Sequence, residues 1–176
     1  YFVGRAFVEE LQAREGYAVH VLNSGRKPLG LAGVSEIACD RHDTGALQQR
    51  VPALDWHAVI DFCAYRPQDV EELLASLPGS LRRYVLISTA SVLRSSLALP
   101  LDEDSPLLSE PLPGPGGDYG YLKRLAEDRA AQLCREQRQL AAGWFVPAAR
   151  PPHQLDSSLS SANARCELIE FAGARH

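Results

Sequence analysis

The chain has 176 residues, of which 45% are hydrophobic and 23% charged, so it is large enough for one domain with a proper core. A net charge of −4, with no basic cluster larger than Arg82-Arg83, argues against a broad face that binds nucleic acid. The apolar runs are far shorter than the roughly 20 residues of a membrane span, and no signal peptide opens the chain. We therefore expect an intracellular, cytoplasmic protein that does not enter a membrane.

The four cysteines show neither a C-x-x-C pair nor a nearby histidine at ligand spacing. In a reducing compartment such residues are typically inert thiols, so the sequence predicts no metal site and no disulfide framework. The chain has no methionine and begins inside an apolar element, and we interpret it as a fragment of a longer protein.

Helices and strands alternate along the first half of the chain. Residues 5–16, RAFVEELQAREG, place Phe7, Val8 and Leu11 on one face and end at a glycine, which predicts an amphipathic helix. The β-branched run YAVHVL predicts a strand, and SEIAC predicts a second one. Further along the chain, TGALQQRV behind Asp43 predicts a helix, HAVIDFC a strand, PQDVEELLASL a helix and RRYVLIS a strand.

The second half begins with residues 95–117, which are rich in proline and glycine and are interpreted as a long surface loop. A helix near Tyr119 follows, and GWFVPAA predicts a last strand. Near-continuous apolar strands alternating with helices favour an α/β fold with a doubly wound parallel sheet. We divide the chain into a domain over residues 1–152 and a tail over residues 153–176, whose only pattern is the short CELIEF.

Two places in the first half of the chain have the residues of a dinucleotide site. Gly4 is in the position of the last glycine of a phosphate-binding turn, where it lets the helix pack closely on the sheet, although a single glycine is also a common structural residue. The strand VHVL is followed by Asn23, Arg26 and Lys27, with no acid in this turn. Because arginine suits a 2′-phosphate, the turn favours NADP over NAD if a dinucleotide binds; a simple polar turn is the alternative.

Tyr119 and Lys123 stand four residues apart at the start of the predicted helix, so both can reach one bound molecule. The chain has six tyrosines and only two lysines, which makes the pair unusual as a coincidence. A cation close to a phenol favours its ionised form, which would make Tyr119 useful as a general acid or base. The alternative is a packed tyrosine followed by a solvated lysine.

Three small hydroxyl residues, Ser88, Thr89 and Ser91, lie where the strand YVLIS ends. The carboxyl end of a parallel strand is where this architecture places its chemistry, and a hydroxyl there can orient a substrate oxygen. Serine and threonine are equally common as turn formers, so these residues alone do not decide between the two roles.

Together these segments resemble the extended branch of the short-chain dehydrogenase/reductase superfamily, the NAD-dependent epimerase/dehydratase family. The matching segments, in the family's order, are FVGRAFVEEL, VLNSGRK, ACDRHD, AVIDFCAY, VLISTASVL, LDEDSPL, YGYLKRLAED and ARPP. Within that family VLNSGR, CDRHD and VIDFCAY look most like the branch that includes the chloroplast stem-loop RNA-binding proteins.

The resemblance implies a Rossmann-type fold and a set of site residues. Tyr119 would be the catalytic acid or base, Lys123 the residue that lowers its pKa and holds the nicotinamide ribose, and Thr89 the residue that orients the substrate. Asp40 would meet the adenine and Arg26 a 2′-phosphate. The cofactor-binding residues implied in this way are Gly4, Asn23, Arg26, Asp40, Cys63, Ala64, Ser88 and Lys123.

The resemblance also implies a function: an NAD(P)-dependent epimerase, dehydratase or reductase that acts on a nucleotide sugar or a similar small molecule. The alternative is a dinucleotide-fold protein that binds RNA or serves as a scaffold, and a plant or algal relative would place it in the chloroplast. A homodimer is compatible with either function. Compared with the family, the chain lacks the earlier glycines, the C-terminal substrate lobe and the first strand, so we expect its sheet to lack the central strand. Leu93 stands where many members have tyrosine.

Overall fold

The computed structural model describes residues 2–14, 16–96, 100–102, 104–136, 141–145 and 165–171. The elements in chain order are α1 (Phe2–Gln12), β1 (Tyr17–Asn23), β2 (Val34–Ala38), α2 (Thr44–Arg50), β3 (Leu54–Asp61), α3 (Pro67–Ser76), β4 (Gly79–Leu81), β5 (Arg83–Ile87), α4 (Tyr119–Glu136), β6 (Ala141–Phe145) and β7 (Arg165–Phe171). A single 3₁₀ turn, Ala90–Val92, follows β5. The match to ARPP and the tail outside β7 fall beyond the described residues.

The strands form one parallel sheet in the order β2-β1-β7-β3-β5-β6, with β4 paired to the beginning of β3. Parallel pairing requires crossover connections, and helices supply several of them. The predicted α/β fold with a doubly wound parallel sheet is confirmed.

The centre of the sheet differs from the prediction. We expected a sheet without its central strand, but β7 occupies that position, paired with β1 from Tyr17 to Asn23 on one side and with β3 on the other. The tail thus contributes a strand that links the two halves of the sheet. The pattern of these seven residues is too short to predict that they pair with strands more than 100 positions earlier in the chain.

Two hydrophobic clusters cover the two faces of the sheet. One contains Val8 and Leu11 of α1 packed against Val19 and Val21 of β1. The other brings α2, α3 and α4 together over Trp56 and the opposite face of the sheet. Phe7 departs from the predicted inward face of α1, since it is exposed and its ring contacts Phe62.

Helix boundaries follow the capping residues that the sequence offers. The Asp43 carboxylate accepts a hydrogen bond from the backbone of Ala46 and begins α2, as predicted. Pro67 lies in the first turn of α3, where its missing N–H costs no helical hydrogen bond. The short β4 was not predicted, because its three residues, Gly79–Leu81, give no periodicity to read. In the part of the chain that the structure describes, no helix has the length and hydrophobicity needed to cross a membrane.

Candidate functional site at the carboxyl edge of the sheet

The parallel arrangement brings the predicted site residues to one edge of the sheet. Asn23 ends β1, Asp40 lies just beyond β2, Ala64 follows β3 and Thr89 follows β5. Parallel strands end at the same edge, and in open α/β sheets this edge is where ligands bind. Gly4 is buried in the first turn of α1.

Lys123 is the most unusual side chain at this edge, because it is a lysine with only 2% of its surface exposed. Its Nζ donates a hydrogen bond to the carbonyl oxygen of Ala64 at 2.5 Å and lies 5.3 Å from the ring centroid of Tyr65. Lysines are almost never fully buried unless their charge has a partner. The alternative of a solvated Lys123 is therefore wrong for this structure.

Tyr119 begins α4, and 41% of its surface is exposed. Its ring lies 6.0 Å from that of Tyr65, at an angle of 49°. The Tyr65 ring is thus in contact with both members of the Tyr119 and Lys123 pair. The structure brings the two predicted residues to the same corner, with the aromatic side chain of Tyr65 adjoining each.

Asp61, the last residue of β3, organises the loop below Lys123. The carboxylate is fully buried and receives two hydrogen bonds from Arg41, at 3.1 and 3.2 Å, and one from the Tyr84 hydroxyl at 2.7 Å. The backbone N–H groups of Cys63 and Ala64 donate to its Oδ1 at 2.7 and 2.8 Å. This network fixes the backbone whose carbonyl holds Lys123.

Burial and charge act in opposite directions on the groups of this corner. Burial raises the pKa of Asp61, but the charge of Arg41 and the hydrogen bonds to the carboxylate outweigh that effect and hold its pKa below the ordinary value. Burial lowers the pKa of Lys123, and the nearby charges of Asp61, Cys63 and Glu127 only partly oppose it. Lys123 is accordingly a cation that gives up its proton more readily than a solvated lysine.

The hydroxyl residues beyond β5 lie on the other side of the same corner. Ser88 is buried and donates to the carboxylate of Glu127, one helical turn beyond Lys123. Burial raises the pKa of Glu127 above its ordinary value, against the opposing effects of Ser88 and Lys123. The Thr89 hydroxyl accepts a hydrogen bond from the backbone N–H of Ser91 and caps the 3₁₀ turn. Ser88 is therefore a structural link to α4, whereas Thr89 is half-exposed at the edge.

A glycine sets how closely α4 approaches this turn. A Cβ added at Gly120 would lie 2.0 Å from the carbonyl oxygen of Ser91, much closer than any contact that two atoms can make. The first turn of α4, with Tyr119, can therefore reach the end of β5 only because residue 120 has no side chain.

The turn beyond β1 differs from the sequence interpretation. Glu36 reaches this turn from β2 and accepts hydrogen bonds from the backbone of Leu29 and Gly30 and from the Asn23 amide. The Asn23 side chain also accepts from the backbone of Gly25, so it holds the turn. The expectation that no acid lies at this turn is wrong, because the acid comes from the neighbouring strand.

The two remaining residues of this side are exposed. Arg26 lies on the surface of the turn that Glu36 holds, and Asp40 accepts a hydrogen bond from the backbone of His42. Burial raises the pKa of Glu36, but its three hydrogen bonds outweigh this and hold the pKa below the ordinary value.

No cluster of three histidine, cysteine, aspartate or glutamate side chains that could hold a metal ion occurs within the described ranges.

Sequence reasoning identified Lys123 and Ala64 but missed the network beneath them, formed by Arg41, Asp61 and Tyr84. One signal was present in the sequence: Asp61 ends a strand, HAVID, that is otherwise apolar. A carboxylate at the end of a buried strand needs donors, and ACDRHD offers an arginine.

No protein-family model matches the sequence, and no curated protein matches it either. Solved structures do. A short-chain dehydrogenase/reductase superfamily protein from Agrobacterium tumefaciens, with bound NAD, is 25% identical with a TM-score of 0.57, over 82% of this chain and 44% of that one. MoeE5 in complex with UDP-glucose and NAD is 22% identical with a TM-score of 0.56, over 81% of this chain and 50% of that one.

A mutated uronate dehydrogenase is 20% identical with a TM-score of 0.56, over 80% of this chain and 53% of that one. The chain spans about half the length of these structures. The chain therefore has the Rossmann-type α/β fold found in short-chain dehydrogenase/reductase structures.

Proposed function

We propose that the chain forms the dinucleotide-binding part of an NAD(P)-dependent epimerase or oxidoreductase of the short-chain dehydrogenase/reductase superfamily. The observation that carries this proposal is the buried Lys123 ammonium at the carboxyl edge of the sheet, next to the Tyr65 ring that the exposed Tyr119 also adjoins. A buried cation that is not needed to close an ion pair of the core is typical of a site that binds a polar ligand.

The residues of this corner fit a nicotinamide dinucleotide. Lys123 would hold the hydroxyls of the nicotinamide ribose, and the backbone of Cys63 and Ala64 would line the cofactor. The bound cofactor would supply hydride transfer. Tyr119 would give a proton to, or take one from, the substrate oxygen, and the half-exposed Thr89 would hold that oxygen in place.

The proposed substrate is a small molecule with a hydroxyl or carbonyl group, and a nucleotide sugar is the class we favour. MoeE5, a structure of the same fold, is described as a complex with UDP-glucose and NAD. The exposed aromatic surface of Tyr65 and Tyr119 supports this choice, since flat faces suit the apolar side of a sugar ring.

The choice between NADP and NAD depends on the turn beyond β1. Arg26 and Lys27 are exposed there and would attract a 2′-phosphate, whereas the Glu36 carboxylate lies in the same turn and would repel one. We retain NADP as the preferred cofactor because the Glu36 carboxylate already accepts three hydrogen bonds, whereas Arg26 and Lys27 are exposed and available to a phosphate. RNA binding and a homodimer stay predictions from the sequence.

The proposal is tested with the Tyr119→Phe variant. Cofactor binding is measured by the change in fluorescence of NADPH and NADH on addition of protein, and turnover with the longest natural form of the protein against a panel of nucleotide sugars. We expect Tyr119→Phe to bind the cofactor within about twofold of wild type and to lose turnover by roughly 100-fold or more, the size of a general acid–base contribution. The matched control is Tyr121→Phe, in the same helical turn. Unchanged turnover in Tyr119→Phe, or no binding of either cofactor to the unaltered protein, contradicts the proposal.

A further inference from the structure

We propose that Arg41 and Asp61 are positioning residues. They hold the loop after β3 in the one conformation that seats Lys123, and they connect it to the loop of Asp40, which we call the adenine side because Asp40 is the residue expected to meet the adenine. The inference rests on the proposed function for its meaning in catalysis. The contacts themselves are independent of any cofactor.

The first step is the density of donors on Asp61. Its carboxylate has no exposed surface, and it receives five hydrogen bonds: two from Arg41, one from Tyr84, and one each from the backbone of Cys63 and Ala64. A buried carboxylate with this many donors has one allowed position. The backbone at residues 63 and 64 is consequently fixed relative to the end of β3.

The second step leads from this loop to Lys123. The Ala64 N–H donates to Asp61, and the carbonyl oxygen of the same residue accepts from Lys123 Nζ. A shift of the Asp61 carboxylate therefore moves the backbone that holds the ammonium. The next residue, Tyr65, forms the aromatic contact to Lys123, and its N–H is held by Asp69 at 2.7 Å.

The third step leads from Asp61 to the adenine side. Arg41 directly follows Asp40, in the loop after β2, and spans to β3 through its two hydrogen bonds to Asp61. A further hydrogen bond runs from Arg41 to the carbonyl oxygen of Asp69 at 2.8 Å, at the beginning of α3. One arginine thus ties the loop of Asp40 to both ends of the segment that seats Lys123.

A purely structural ion pair is the alternative, and the chain contains one for comparison. Asp55 lies at the opposite end of the same strand, β3, and pairs with Arg82 on the exposed surface. Both are aspartate–arginine pairs on one strand, but only the Asp61 pair lies beside the candidate site. Asp55→Asn is accordingly the matched control for Asp61→Asn.

The test uses the fact that the chain contains only two lysines, Lys27 and Lys123. Protein labelled with ¹³C at the lysine ε-carbon gives two resonances, with the exposed Lys27 as internal reference. Both are titrated in wild type and in Asp61→Asn, Arg41→Met, Tyr84→Phe, Arg41→Lys and Asp55→Asn. The Arg41→Lys variant adds a third lysine resonance, which is recognised because it is absent from Arg41→Met. The titratable and charged groups that act on Lys123 are Asp61, Cys63, Glu127 and Arg41, and the variants change Asp61 and Arg41.

We expect Asp61→Asn to displace the Lys123 resonance and to lower its titration midpoint, because the carboxylate that favours the ammonium is gone. Lys27 stays unchanged, and Asp55→Asn moves neither resonance. Arg41→Met displaces the Lys123 resonance, and Arg41→Lys restores part of the wild-type position. In the same samples, binding of NADPH falls about tenfold in Asp61→Asn, the loss expected of one misplaced charged hydrogen bond.

A folded Asp61→Asn protein with an unmoved Lys123 resonance overturns the inference. If that variant does not fold, Tyr84→Phe and Arg41→Lys decide the question, since each keeps the carboxylate and weakens its setting; an unmoved Lys123 in both also overturns it. If Lys123 responds as expected while no cofactor binds to any form, the positioning role stands and the proposed function fails.

Discussion

Two loops at the carboxyl edge are each held by one carboxylate, and their surroundings differ. The Asp61 carboxylate is fully buried and accepts hydrogen bonds from the backbone N–H groups of Cys63 and Ala64 and from the mostly buried side chain of Arg41. Glu36 gathers those of Leu29 and Gly30 on the exposed surface. In both loops a carboxylate accepts hydrogen bonds from backbone N–H groups, but one carboxylate is buried and the other is in contact with water.

The two loops differ in how easily they can change conformation. Water can replace any donor that leaves Glu36, so the turn beyond β1 can rearrange around a ligand at small cost. No water replaces the donors of Asp61, so the loop beyond β3 keeps one shape. If the chain binds a dinucleotide as proposed, the loop that holds Lys123 is preorganised for it, whereas the turn beyond β1 adjusts to it.

The largest expected effect is that of Asp61→Asn, which leaves Arg41 without its buried counterion. We expect a loss of about 3–5 kcal/mol in the free energy of unfolding, the range for breaking one side of a buried ion pair. Urea unfolding followed by circular dichroism measures it. Asp55→Asn, whose pair is exposed, should lose about 0–1 kcal/mol. Equal losses of stability in Asp61→Asn and Asp55→Asn would contradict the conclusion that the Asp61 network depends on its burial.

The pH dependence of the same variant sharpens the comparison. Because the folded protein holds the pKa of Asp61 below its ordinary value, the carboxylate contributes stability above the unfolded pKa and loses it as pH falls through the lower, folded pKa. The stability difference between wild type and Asp61→Asn should therefore be full at neutral pH and shrink in acid. A difference that stays constant from neutral pH into the acid range would show that the charge of Asp61 is not responsible.

The next largest effect is expected for Gly120→Ala, which tests the close contact between α4 and the end of β5. The added Cβ meets the Ser91 carbonyl oxygen, so we expect a loss of about 1–3 kcal/mol as the backbone shifts. Gly45→Ala is the control, since a Cβ there makes only an ordinary contact in α2. This variant should raise the free energy of unfolding by about 0.5–1 kcal/mol, because alanine favours a helix more than glycine does. Thermal unfolding should show a lower melting temperature for Gly120→Ala and a higher one for Gly45→Ala. A stabilised Gly120→Ala would contradict the close contact.

The smallest effect is expected for Glu36→Gln. The two backbone N–H groups donate to different oxygens of the carboxylate, and an amide has only one oxygen, so the variant loses the charge and one of these hydrogen bonds. Because the site is exposed and water can replace the lost partner, the free energy of unfolding should fall by about 1 kcal/mol or less. Removal of the negative charge should at the same time favour NADPH over NADH. The ratio of their dissociation constants, measured in wild type and variant, checks this; a ratio that shifts toward NADH would show that the turn does not meet the 2′ position.

Local signals allowed much of the fold to be predicted. Asp43 and Pro67 mark helix starts through chemistry contained within a few residues, and Tyr119 and Lys123 are four residues apart on one helix. The spacing alone could not show that Lys123 is buried, since that depends on the backbone carbonyl of Ala64 from a segment 59 residues away.

The rest depended on contacts between distant segments. Asp61 meets Arg41 and Tyr84 across 20 and 23 positions of sequence, and Glu36 approaches Asn23 from another strand. The central β7 was not predicted for the same reason, because strand pairing is decided by the partner and not by the seven residues themselves. Local patterns identified the elements, and packing decided which polar groups meet.

Lys123 is the buried cation on which the proposed dinucleotide site depends. The most direct measurement is the titration of NADPH and NADH into wild type, Lys123→Met and Lys27→Met, followed by nucleotide fluorescence, with circular dichroism to confirm folding. The account predicts that Lys123→Met remains folded and loses affinity more than tenfold for both cofactors, while Lys27→Met weakens at most NADPH. Unchanged affinity of folded Lys123→Met for both cofactors would contradict the claim.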